Sequence, residues 1–95
     1  MKTLQTVLTQ EPHAVREATE KVLEVAIGRE VRALRKQMGI TVAELAEATD
    51  ISLGMLSKIE NGNISPSLTT LQSLSRALGV PVTAFFRKFE EEHNA

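Results

Sequence analysis

Between Thr41 and Gly62 the chain carries two short helical signatures, TVAELAEATD and SLGMLSKIENG, whose helices are joined by a turn of only two or three residues. The first opens on Thr41-Val42-Ala43-Glu44, a pattern in which the Thr hydroxyl and the Glu carboxylate serve each other's backbone N–H groups, and it ends near Thr49-Asp50. The second opens on Ser52, a good N-cap, and stops at Asn61-Gly62. Val42, Leu45 and Ala46 form the apolar face of one helix, Leu56 and Ile59 that of the other. So short a link forces helices 42–49 and 52–61 to cross sharply, with the second protruding.

The remaining patterning is helical as well. Pro12 is acceptable in a first helical turn, and Val15, Ala18, Val22 and Val25 recur along one face of 12–28. Ile27, Val31, Leu34 and Met38 continue the stripe as far as Gly39. Gly28 either splits this stretch into two helices or is carried through at a cost of about 1 kcal/mol relative to Ala. Ser67 caps a further helix with Leu68, Leu71, Leu74 and Leu78 expected inward, ending at Gly79. Pro81 starts a last helix containing Phe85, Phe86 and Phe89. All three aromatics read as core, although on so short a helix one of them facing a partner is the alternative. The terminal EEEHNA reads as a polar tail, frayed or a linker. Tyr and Trp are absent and β-branched residues do not alternate, so no strand pair is expected. The expectation is an all-α fold, a compact bundle of five or more short helices. It divides into an extension at 1–26, the main body at 27–89 and a tail at 90–95.

The composition excludes or weakens several function classes. The 95 residues make one domain, and the lack of Cys rules out disulfides and thiolate metal sites. No apolar run approaches the roughly 20 residues of a membrane span, and MKTLQTVLTQ lacks a signal peptide's apolar core. A cytoplasmic setting is therefore expected. His13 and His93 are isolated and have no ligand spacing, so neither a metal nor a cofactor is expected. No nucleophile–base set, Gly-rich phosphate loop or HExxH pattern points to an enzyme. Net charge is −1, and even residues 29–79 hold only six Lys/Arg against five acids. Bulk charge therefore does not announce nucleic-acid binding.

The specific signal lies in two stretches, VRALRKQMGITVAELAEATDIS and LSKIENGNISPSLTTLQSLSRALGVPV. In order and spacing they resemble the phage-repressor/Cro-like helix-turn-helix family, also called the xenobiotic-response-element family, over about two thirds of the chain. The resemblance implies a lambda-repressor-like fold and a DNA-binding transcriptional regulator. In it Ser52–Glu60 is the recognition helix, whose N-terminal part meets base edges in the major groove. The implied DNA-facing set is Thr41, Val42, Ser52, Leu53, Gly54, Ser57, Lys58, Asn61 and Asn63. Lys58 can donate to guanine O6/N7 or to a phosphate, and Leu53 can contact a thymine methyl. Gly54 lets the backbone come close to DNA, and Asn61-Gly62-Asn63 resembles the family's phosphate-holding loop. Arg35 and Glu60 match the family's ion pair between the first core helix and the end of the recognition helix. Two departures stand out. Val42 sits where the family often has a phosphate-contacting Gln, and Asp50 replaces the turn's usual Gly. Both reduce affinity per domain and favour a homodimer on a near-palindromic operator.

Within the resemblance, ENGNISPSLTTLQSLSRALGVPVTAFF is similar to regulators in which a small-molecule-sensing cupin barrel follows the DNA-binding domain. A missing C-terminal sensor domain is therefore one expectation. A free-standing repressor or the antitoxin of a toxin–antitoxin pair is another. The competing class is a protein-interaction module that keeps the fold but no longer binds DNA, which the net negative charge and Asp50 would suit. For single residues the plainer roles also stay open: Lys58 as a solvated side chain, Leu53 or Met55 packed on a neighbour, and Arg35–Glu60 as an ordinary surface pair, worth about 0–1 kcal/mol.

Overall fold

A computed structural model describes residues 12–94 of the chain, with side-chain surroundings for 18–91. Val15, His13 and His93, which figured in the sequence reading, thus have side chains outside the described set. Among the described residues five α-helices and one 3₁₀ segment follow one another: α1 (Pro12–Gln37), α2 (Val42–Thr49), α3 (Leu53–Glu60), α4 (Leu68–Leu78), the 3₁₀ segment Val82–Phe86, and α5 (Arg87–Asn94). The described residues contain no strand.

Helix α1 resolves the ambiguity at Gly28. It runs unbroken for 26 residues, about 39 Å at 1.5 Å per residue. Its C-terminal half is the spine of the molecule, with Ile27 and Val31 buried and Leu34 packed against the core. Residues 18–22 ahead of it are exposed, Ala18 and Val22 among them. Met38 falls one residue beyond the helix and is half exposed, so the stripe ends in effect at Leu34.

Around this spine Leu45, Leu56, Ile59, Leu74 and Phe85 are almost wholly buried. Burying an aliphatic side chain of this size stabilises the fold by about 1.5–3 kcal/mol. These few residues therefore hold a small domain together. Thr49 is buried too, and its hydroxyl donates to the Leu45 and Ala46 carbonyls at 2.7 and 3.2 Å. Among the described residues no buried side-chain polar atom lacks a partner.

Two expectations are corrected. Leu68 is 65% exposed, not inward. At about 100° per residue it lies roughly 90° round the helix from the centre of the Leu71/Leu74/Leu78 stripe, on a side that stays open to solvent. The chain after Pro81 is not one helix. Val82–Phe86 is 3₁₀, with Ala84 N–H donating to the Pro81 carbonyl at 2.9 Å, and only then does α5 begin. Phe85 is fully buried, and Phe86 and Phe89 are partly so. Helix α5 continues through the acidic run to Asn94.

Candidate nucleic-acid interface

The α2–turn–α3 unit is held by interactions that each span only a few residues. At its start Glu44 N–H donates to Thr41 Oγ1 at 3.0 Å, and Thr41 N–H donates to Glu44 Oε1 at 2.8 Å. The hydrogen bonds from Thr41, the backbone one foremost, lower the Glu44 pKa below the ordinary carboxylate value. The cap's contribution is accordingly present above the usual Glu range and is lost as pH falls through the lowered pKa.

At the far end of α2, Asp50 adopts the left-handed conformation, φ 57° and ψ 35°. Asp50 N–H then reaches the Glu47 carbonyl and Ile51 N–H the Ala46 carbonyl, at 3.3 and 3.0 Å. This paired closure also ends α1, α3 and α4, where the left-handed residue is Gly39, Gly62 or Gly79. A residue with a Cβ strains the backbone there, for most residues by about 1 kcal/mol or more, although Asp tolerates the region better than most. Ser52 Oγ then caps α3 by accepting from Met55 N–H at 3.1 Å.

Leu45 and Ala46 on α2 and Leu56 and Ile59 on α3 are buried, which leaves the opposite side of α3 facing outward. At about 100° per residue, Gly54, Ser57 and Asn61 lie at the centre of that outer side, with Leu53 and Lys58 on its two flanks. All five are exposed, as are Ser52, Thr41 and Asn63. Val42 is the exception in the expected set. It is half-buried and packed on the core. Leu53 is 51% exposed and Met55 44%, which puts two large apolar side chains in solvent on one short helix. A Cβ built at Gly54 would meet nothing within 4 Å. That glycine therefore answers no packing need inside the molecule.

Arg35 and Glu60 meet in a forked, two-bond contact. Nε donates to Oε2 at 2.7 Å and Nη2 to Oε1 at 3.1 Å, while Nη1 donates to the Ile40 carbonyl at 2.8 Å. Side-chain exposure is only 12% and 7%, so this is no solvated surface pair. The hydrogen bond to Glu60 raises the Arg35 pKa above its ordinary value, against the opposing effect of burial.

Contacts from residues 21–28 of α1 were not foreseen from sequence. Lys21 Nζ donates to the Gly62 carbonyl at 2.7 Å, and Ser65 Oγ donates to Glu24 Oε1 at 2.9 Å. A Cβ at Gly28 would lie 2.3 Å from the Ile59 carbonyl oxygen and 2.8 Å from that of Glu60. The one available signal was Gly28 itself, since an isolated glycine in a helical pattern often marks close packing.

A family model described as Helix-turn-helix (HTH_3) matches residues 31–85. The chain is similar to the immunity repressor protein of Bacillus phage phi105, with 37% identity over 60 residues, 63% of this chain and 42% of that protein. It is also similar to the HTH-type transcriptional repressor RghR of Bacillus subtilis, with 35% identity over 74 residues, 74% of this chain and 55% of that one. Among solved structures, the clp gene regulator ClgR from C. glutamicum superposes with a TM-score of 0.68 at 35% identity, covering 75% of this chain and 92% of that one. The restriction-modification controller protein C.AhdI from Aeromonas hydrophila gives 0.64 at 25% identity, covering 66% and 96%. Matches to the phi105 repressor, to SutR of Escherichia coli and to DdrOP3 of Deinococcus deserti span 31% to 42% of those proteins.

Proposed function

The chain belongs to the helix-turn-helix family, and we propose that it is the DNA-binding module of a transcriptional regulator, reading duplex DNA by laying α3 in the major groove. One observation carries this reading: the outer side of α3 is exposed, holds a glycine with no internal use, and is flanked by an apolar Leu53 and a basic Lys58. A major groove about 12 Å wide admits one helix, and small side chains on its outer side let the helix backbone come close to the base edges. Gly54 and Ser57 suit that approach. Repressors and gene regulators among the relatives and structural neighbours support the same conclusion. Among the described residues no helix is long and apolar enough to cross a membrane, and no His, Asp and Glu cluster could hold a metal ion.

In this proposal Leu53 and Lys58 carry base preference. Ser52 and Ser57 add hydroxyl contacts, and Thr41, Asn61 and Asn63 hold phosphates. Half-buried Val42 adds at most an apolar edge. Removing Lys58 or Leu53 by alanine should cost about 1–3 kcal/mol of operator binding, Leu53→Ala mainly by relaxing base preference. Asn63→Ala should weaken all sequences alike, because a phosphate contact cannot discriminate. Gly54→Ala is the most diagnostic change. It should stabilise the free protein by up to about 1 kcal/mol through helix propensity and still weaken DNA binding. Affinities for a duplex selected from a random pool and for its scrambled counterpart, at fixed salt, test the set, with Arg87→Ala as a control. The assignment fails if Arg87→Ala abolishes binding while Lys58→Ala, Leu53→Ala and Gly54→Ala bind as wild type does. Binding that does not weaken with added salt would favour a protein-interaction module instead.

One recognition helix with a single basic flank is a weak reader. The proposal therefore includes a homodimer on DNA, with half-sites about one helical turn, roughly 34 Å, apart. The phi105 repressor, SutR and DdrOP3 extend well beyond the matched span, which supports a regulator with a further domain, such as a sensor. Footprinting at saturation should protect two related half-sites. Protection of one asymmetric half-site would remove the dimer from the proposal.

A further inference from the structure

The stretch Lys21–Gly28 of α1 lies outside the span the family model matches, yet it grips the end of α3 and the loop after it at three consecutive turns. Lys21 donates to the Gly62 carbonyl, Glu24 accepts from Ser65, and Gly28 sits against the Ile59 and Glu60 carbonyls. Between these contacts, a Cβ at Gly62 would come within 2.9 Å of Val25 Cα, so helix and loop backbones touch. The peptide joining Gly62 to Asn63 is held at both poles. Its carbonyl takes the Lys21 ammonium at 2.7 Å, and its N–H donates to the Lys58 carbonyl at 2.9 Å. A peptide unit is planar, so fixing its oxygen and its nitrogen fixes its orientation, and with it the direction in which Asn63 leaves the loop. The ammonium also sits at the negative end of the α3 dipole, where a cation is favoured.

We propose that Lys21 is a positioning residue for DNA binding: through Gly62 it holds the Asn61–Asn63 loop in the form that presents Asn63 to phosphate, without touching DNA itself. The inference rests on the DNA-binding reading above. Its first readout is independent of that reading. In the free protein, amide exchange at Asn63 should quicken about fivefold in Lys21→Met, from the loss of one hydrogen bond made by a solvent-exposed side chain. The Leu74 amide, in the middle of α4, should be unchanged, and Lys21→Arg should restore protection at Asn63. On a mixed-sequence duplex, Lys21→Met should bind about fivefold more weakly than wild type, with no change in its preference between sequences. The dependence of affinity on salt should keep its slope, since a neutral amide releases no counterion. Lys21→Met should add nothing in an Asn63→Ala background. The proposal is overturned if Asn63 exchange is unaffected, if the Lys21 and Asn63 losses multiply, or if the salt slope drops by about one, the mark of a direct lysine–phosphate contact. Should the wild-type chain bind no duplex at all, the DNA-binding reading falls, while the exchange comparison still decides whether Lys21 holds the loop.

Discussion

Gly28→Ala is expected to destabilise the protein by about 3 kcal/mol, although alanine is the better helix former by about 1 kcal/mol. The added methyl would stand 2.3 Å from the Ile59 carbonyl oxygen and 2.8 Å from that of Glu60. Both are backbone atoms at the end of α3, so no side chain can rotate away to make room. Relief requires α1 and α3 to separate, which opens the core where Ile27 and Ile59 are buried. Against a total stability of about 5–15 kcal/mol for an ordinary domain, that loss is large. Urea unfolding should show a lower midpoint at an unchanged slope. An alanine variant as stable as wild type would mean that the close approach of α1 to α3 is not as described.

Glu60→Ala should be comparably severe, at about 3 kcal/mol, because it strands the Arg35 guanidinium at a site only 12% exposed. Arg35 would keep only its bond to the Ile40 carbonyl. Arg35→Ala should cost somewhat less on its own, and the double alanine variant less than the two losses summed. A coupling of about 1.5 kcal/mol or more is expected from two charge-assisted bonds. Replacing the pair with Met and Leu should recover much of the stability, since well-packed apolar residues often match a buried ion pair. A coupling near zero in the denaturation cycle would reduce the pair to a coincidence of position. Both changes act at one junction. Helix α1 meets the C-terminal end of α3 through Gly28 on one turn and Arg35 two turns later, and the orientation of the proposed reading helix depends on both.

The sequence by itself determined whatever is decided within about five residues along the chain. The Thr41–Glu44 box, the Ser52 and Ser67 caps and the stops at Gly39, Gly62 and Gly79 are local, because hydrogen bonds between near neighbours set them whatever the rest of the fold does. The Arg35–Glu60 pairing was legible only through family resemblance, since its partners are 25 positions apart. Tertiary structure alone decided the rest. Periodicity marked Leu68 as apolar but could not tell that its side of α4 stays exposed. It placed Gly28 in a helical run but could not show the α3 carbonyls that require it to be a glycine. Gly54 looks much the same in the sequence and proved to be the opposite case, with open space where a side chain would go. The contact between Lys21 and Gly62 spans 41 positions. It exists only because burial of Ile27, Val31 and Ile59 brings α1 and the end of α3 together, and no pattern along the chain encodes how close two surfaces come once a core has packed.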